Sequence, residues 1–205
     1  MAATSRSAPQ AATDAATVEQ FVPFGHWTID PEHSSVNFVV NHLGITRLHG
    51  RFADLAGSVA SKDGVVSGTA TVSANSVQTG SDARDKHLKG PDFLNADVNP
   101  HIVFTLERVQ ANEHDFLVEG TITINGITRP MELVALSGGT AKDPYGHDRV
   151  GLMLTSRITR KDFDITFDPM GALIGDQVTL EIDLSLVRQP EYLLDAERRH
   201  AATQH

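Results

Sequence analysis

The run Ser81-Asp82-Ala83-Arg84-Asp85-Lys86-His87 sets an arginine, a carboxylate and an imidazole side by side. In that combination a carboxylate orients the ring and a guanidinium holds an anion. On a helix, however, Arg84 and Asp85 point about 100° apart, whereas Arg84 and Leu88 share a face. The residues therefore read first as a structural pairing, next as a contact from Arg84 to a ligand head group, and last as catalysis. Among the 10 histidines, His33, His42 and His49 on neighbouring stretches raise metal binding. Without an HExxH or His-x-His pair to set two imidazoles together, no metal site is expected. His42 reads instead as a hydrogen-bonded core or rim histidine, with contact to a ligand head as its next use. Ser34, Ser35, Ser156 and Ser185 offer hydroxyls, yet none stands in a Gly-x-Ser-x-Gly elbow. There is no Gly-rich nucleotide loop, and Cys 0 excludes a thiolate nucleophile. The expectation is no catalytic residue, no metal and no cofactor, with a small isomerase or hydrolase in a barrel mouth as the alternative.

The 205 residues fit one domain with tails. Seventeen Lys and Arg against 26 Asp and Glu give a net charge of −9, which disfavours nucleic acid as a partner. The opening MAATSRSAPQAATDAATVEQ is rich in Ala, Ser and Thr and carries no apolar run of the signal-peptide kind. A soluble, cytoplasmic protein with no stable membrane insertion is the expectation. Residues 1–23 read as a disordered tail, 24–188 as the folded domain, and 189–205 as a C-terminal tail in which Pro190–Arg199 adds a helical turn or two.

The elements that must position these groups have period two. Val36, Phe38, Val40 and His42 alternate with Ser35, Asn37, Val39 and Asn41. The same pattern returns in Ile102-Phe104-Leu106, Phe116-Val118-Ile122-Ile124, Leu152-Leu154-Ile158 and Val178-Leu180-Ile182-Leu184. Strands are expected near 26–31, 34–42, 50–60, 66–76, 100–110, 115–124, 127–137 and 149–160, with a ninth at 177–187. Asp63-Gly64 and Asn125-Gly126 mark two-residue hairpin turns, and Gly138-Gly139 with Asp143-Pro144-Tyr145-Gly146 reads as the loop before 149. Ser81 to Pro91 is the one short helix. Ser81 or Asp82 is its cap, Gly90-Pro91 its stop, and it crosses an edge or end of the sheet.

Such strands bury their apolar faces by closing into an antiparallel barrel of about eight strands or by stacking as a two-sheet sandwich. At that size a barrel interior is either filled by side chains or wide enough for one small ligand, and the pattern fits both. Inward positions by parity are Val36, Phe38, Val40, Phe52, Phe104, Leu106, Phe116, Val118, Ile122, Leu152, Leu154, Leu180 and Ile182. With His42, Arg84, Leu88 and Phe93 they form the candidate ligand-binding set. If the interior is open, about ten buried methylenes at ~0.8 kcal/mol each supply ~8 kcal/mol. That is comparable with the ~4 to 15 kcal/mol cost of association.

Ordered motifs then narrow the choice. Ile29-Asp30-Pro31-Glu32-His33-Ser34-Ser35-Val36-Asn37-Phe38, Asn41-His42-Leu43-Gly44 and Gly50-Arg51-Phe52 closely resemble the opening of the YceI-like family of lipid-binding proteins. The resemblance continues through Ser76-Val77-Gln78-Thr79-Gly80, Arg84-Asp85-Lys86-His87-Leu88, Pro91-Asp92-Phe93-Leu94, Asn99–Phe104, Gly120–Pro130 and Arg160–Ile165, spanning about Trp27 to Val187. It implies a lipocalin-like antiparallel barrel whose apolar tunnel holds a polyisoprenoid or another long-chain amphiphile such as a fatty-acyl lipid, for sequestration or transport. Homodimerisation also fits it. The chain departs from the family pattern in lacking an export signal and in carrying Asp164 where Gly is common, a position where Gly reaches angles that Asp adopts less readily.

Overall fold

The computed structural model describes residues 17–171 and 173–190. Helix α1 (Val18–Phe21) leads into β1 (Gly25–Ile29), β2 (Ser35–His42), β3 (Thr46–Phe52), β4 (Leu55–Lys62), β5 (Val65–Ser73) and β6 (Val77–Gln78). Helix α2 (Asp82–Lys89) precedes β7 (His101–Ala111), β8 (Phe116–Ile124), β9 (Ile127–Lys142), β10 (Asp148–Thr159) and β11 (Ile174–Gln189). All pairings are antiparallel, and β1 closes the sheet by bonding both β4 and β11.

Three staves of the barrel are broken strands. β11 pairs with β2 through Ile174–Asp183 and with β1 through Leu186–Gln189, so β1 and β2 make one stave interrupted by the 3-10 turn Pro31–His33. β3 and β4 make a second, broken at Ala53 and Asp54, and β5 and β6 a third. The result is a closed antiparallel barrel of eight staves, which decides against the sandwich. Closure pairs most of the edge that an open sheet of this length leaves, the exception being Thr46–Gly50 of β3 on the side away from β2.

The period-two pattern sets the inner face. Along β8 the residues alternate buried and half-buried from Phe116 to Ile124, and Met131, Leu133 and Ala135 of β9 and Val150, Leu152 and Leu154 of β10 continue the inner wall. Asp63-Gly64 and Asn125-Gly126 adopt positive φ at both positions, as the hairpin reading requires. Gly120 lies beneath the ring of Phe104, where a β-carbon would collide with it and with the Thr105 carbonyl.

Several boundaries differ from the sequence reading. Folded structure is already present before Phe24, since Phe21 and Val22 are buried and Ser137 Oγ donates to the Gln20 carbonyl at 2.9 Å. Two apolar residues at the end of a polar stretch sufficed to dock it. Residues 1–16, and the helical turn expected near Pro190–Arg199 beyond Pro190 itself, lie outside the described residues. β3 starts at Thr46 rather than 50, and β11 runs on to Gln189. Gly138 and Gly139 belong to β9, not to a loop, and lie opposite a register shift between Gly151 and Leu152, where an irregular ladder takes residues without side chains. Asp164 adopts φ 57°, the left-handed conformation, so the backbone keeps the turn that Gly commonly makes.

Candidate functional site

The barrel encloses a cavity of about 490 Å3. That volume is within the ~300–1,000 Å3 range of ligand pockets and is larger than a packed core leaves. Its wall is overwhelmingly aliphatic and aromatic, with small inward residues on β5, Ala70 and Val72, facing bulkier ones such as Phe38, Phe52 and Phe104. The rings of Phe38 and Phe52 stand 5.5 Å apart, and Phe38 lies over Gly50, where a β-carbon would not fit.

The two ends are closed differently. At one, α1 brings Phe21 into the cavity wall, its ring 5.2 Å from that of Phe116. At the other, α2 and the segments 90–100 and 160–171 form a cap. Asn99 Nδ2 donates to Asn125 Oδ1 at 3.1 Å and Asn125 Nδ2 to the Phe163 carbonyl at 3.2 Å, so the β8–β9 turn ties both segments together. His87 stands edge-on to Phe93 and Phe167, with centroids 5.0 and 4.8 Å away. It lines the cavity while its side chain remains 45% exposed, which marks the mouth.

Both arginines of the wall serve the chain itself. Arg160, 3% exposed, donates to the carbonyls of Ile165, Phe167, Ile174 and Gly175 at 2.6 to 3.2 Å. It also lies 3.3 Å from Asp176. Arg84 donates through Nε to Thr79 Oγ1 at 2.7 Å and through Nη2 to the Thr79 carbonyl at 2.8 Å. Asp85 accepts from the Thr79 amide at 2.9 Å and from its hydroxyl, so Arg84 and Asp85 meet on one threonine rather than on a ligand. The first turn of α2 is held by this contact, and Ser81 makes no side-chain cap.

The strongest carboxylate perturbations are elsewhere, on a clasp around Arg149. Arg149 Nη1 donates to Asp30 Oδ2 at 2.6 Å and Nε to Asp143 Oδ2 at 2.9 Å. His33 and His147 reach the same carboxylates at 2.8 and 3.1 Å. The Arg149 bond, against the opposing effect of burial and with help from His33 and the Glu32 amide, lowers the Asp30 carboxyl to about 2. Burial pushes Asp143 up, but bonds from the His147 backbone, Arg149, the His147 ring and the Tyr145 amide outweigh it and hold the carboxyl well below its usual range.

Of the candidate set, Val36, Phe38, Val40, His42, Phe52, Arg84, Leu88, Phe93, Phe104, Leu106, Val118, Ile122, Leu152, Leu154, Leu180 and Ile182 line the cavity together. Phe116 does not. Its ring is taken up by Phe21 and it borders an outer groove with Pro23 and Leu136, because the docked α1 comes between it and the cavity. Among the wall residues that the sequence reading missed are Phe21, Leu48, Arg160, Phe163, Phe167 and Leu173. Leu48 keeps the parity of Phe52 and was within reach; the others depend on how distant loops fold over the end. His33 and His49 stand away from the cavity wall, and among the described residues no three His, Asp or Glu side chains gather as metal ligands. Among those residues, too, no helix is long and apolar enough to cross a membrane.

The comparison with known proteins decides the family, since the YceI-like domain matches residues 27–186. The chain belongs to the YceI-like family. It is 37% identical over 171 residues to Protein YceI of Salmonella arizonae, covering 80% of this chain and 87% of that one. The barrel is similar to crystalline Burkholderia cenocepacia BcnA, with TM-score 0.66, 18% identity, and coverage of 77% of this chain and 98% of that one. A polyisoprenoid binding domain from Saccharophagus degradans, described as implicated in plant cell wall breakdown, is similar with TM-score 0.61, 19% identity, and coverage of 80% and 98%. At those identities the two structures speak for the fold, and the YceI-like barrel here carries an apolar cavity of ligand size.

Proposed function

We propose that this YceI-like protein binds and carries a long-chain isoprenoid, or a fatty-acyl chain of similar shape, without making or breaking a bond in it. The observation that carries the reading is the enclosed 490 Å3 cavity, whose wall is apolar apart from a few groups, with Arg84 and Arg160 already bonded to the chain. A chain entering it gains ~0.8 kcal/mol per buried methylene, so the tail supplies the affinity. The similarity to a polyisoprenoid binding domain supports the isoprenoid choice. Against catalysis stands the state of the titratable groups at the mouth. His87 Nε2 faces Asp92 at 3.0 Å with both side chains about half exposed, so this pair is engaged with itself at the surface rather than held inside the cavity.

Organic extraction of purified protein followed by mass spectrometry tests this. The expected result is a co-purified lipid, or saturable equimolar uptake of a polyprenol by delipidated protein, with the lipid recovered unchanged. No lipid in the extract and no saturable uptake overturns carriage, and a chemically altered lipid overturns its non-enzymatic character.

A further inference from the structure

The barrel's hydrogen-bonded wall has a gap at the capped end. β3 pairs with β6 only through Arg51 with Gln78 and Phe52 with Val77, leaving Thr46–Gly50 without a strand on that side. Leu48 of this unpaired edge and Arg84, His87 and Leu88 of α2 all line the cavity, so the gap between β3 and α2 borders it.

Beside the gap the surface is apolar. The β2–β3 turn exposes Leu43 at 48% and Ile45 at 81%. The Leu43 amide donates to the Leu173 carbonyl at 3.0 Å and the Leu173 amide to Asp168 Oδ1 at 3.0 Å, which links this turn through Leu173 to the 168–171 turn, where Met170 is exposed. Exposed aliphatic side chains gathered beside a cavity mark an interaction site. Charge adds a second observation. In a protein of net charge −9, no acidic residue occurs between Glu32 and Asp54, a stretch that holds Arg47, Arg51, His33, His42 and His49. Arg51 is engaged by Gln78, whereas Arg47 stands exposed two residues from Ile45.

We propose that the β2–β3 hairpin docks this protein on an anionic phospholipid surface, with Leu43, Ile45 and Met170 entering the acyl boundary and Arg47 facing head-group phosphates. The gap between β3 and α2 then meets the bilayer from which the cavity fills, so the inference rests on the lipid-carrier reading. Apolar residues leaving water and a cation near an anionic leaflet both favour this contact. An acid-free tip is what an otherwise negative protein needs to approach such a surface. Asp82, Asp162 and Asp164, exposed on α2 and the 3-10 turn at the same end, confine the contact to the hairpin and its neighbour.

Flotation with phosphatidylcholine vesicles, with and without phosphatidylglycerol, tests the docking. Full-length protein is expected to float with phosphatidylglycerol vesicles and to be released by salt. Ile45→Asp and Arg47→Glu should each lower the bound fraction on the order of tenfold. Both variants should take up geranylgeraniol added from ethanol as the unaltered protein does, since neither residue lines the cavity. Uptake from ethanol without any flotation overturns the docking and leaves carriage standing. Flotation of both variants at the unaltered level overturns the assignment to the hairpin, and no uptake from either source overturns the carrier reading beneath it.

Discussion

Phe21 and Phe116 pack with ring centroids 5.2 Å apart and planes tilted by 46°, so the α1 end of the cavity is shut by a residue outside every barrel strand. Nearly all of Phe21 is buried, and the segment is otherwise fixed by few bonds, among them Trp27 Nε1 to the Pro23 carbonyl at 2.9 Å. Phe21→Ala should cost about 3 kcal/mol by urea unfolding. It should also raise the release rate of bound polyprenol, measured by stopped-flow exchange, because the far end of the cavity then opens. Unchanged stability and release would show that α1 rests on the barrel without closing it.

Ile122 separates cavity from core. It is 6% exposed, faces Phe104 across the β7–β8 ladder, and both line the cavity. In a hollow barrel the added ring of Ile122→Trp occupies space a ligand would take, so uptake should fail while thermal unfolding of the ligand-free protein stays near normal. In a filled interior the same change overpacks and costs about 1 to 3 kcal/mol. Measuring uptake and unfolding side by side tells the two apart.

Parity alone placed the wall positions named on β2, β7, β8, β10 and β11 except Phe116, because along these strands the inward face is the apolar face and the closed barrel leaves no other place for it. It failed where position depends on partners far along the chain. Phe116 has the right parity, but its ring is claimed by Phe21 from a segment 95 residues earlier. Arg160 stands in a recognisable motif, yet nothing local says that its acceptors are carbonyls 5 to 15 residues further on. The break between β1 and β2 was legible, with strands expected at 26–31 and 34–42, but that between β3 and β4 was not: the sequence reads as one strand there, while the break at Ala53 and Asp54 is set by the bonds of Ala53 to Ser76 and of Ser73 to Asp54.

Arg160 should matter for the cap rather than for ligand charge. Arg160→Met removes the donors to four carbonyls in a site where water does not replace them, and leaving even part of that set unsatisfied should cost about 3 kcal/mol. Arg160→Lys should restore little, since an ammonium does not span the same set of acceptors. Hydrogen exchange should rise across residues 163–171 and 173–175 in both variants. A variant as stable and as protected as the unaltered protein would remove this arginine from the cap.

Acid should cost the fold stability chiefly through the Arg149 clasp, whose carboxyls are held furthest below their ordinary range. Asp30 is lowered to about 2 and Asp143 is lowered as well, both chiefly sharing Arg149 and a histidine, and their side chains are 14% and 8% exposed. A carboxyl whose folded value lies below its unfolded one stabilises the fold fully at pH above the unfolded value of about 4. That contribution is lost as pH falls from there toward 2, where Asp30 takes up its proton in the folded state too. The clasp joins the break between β1 and β2 to the start of β10 and the β9–β10 turn, so its protonation should weaken that corner of the barrel. Denaturation midpoints measured from pH 6 to pH 2 should therefore fall in the unaltered protein and flatten in Asp30→Asn, which is less stable at neutral pH but has one fewer group to protonate. Parallel curves for the two proteins across that range would mean that the acid sensitivity arises at other carboxylates.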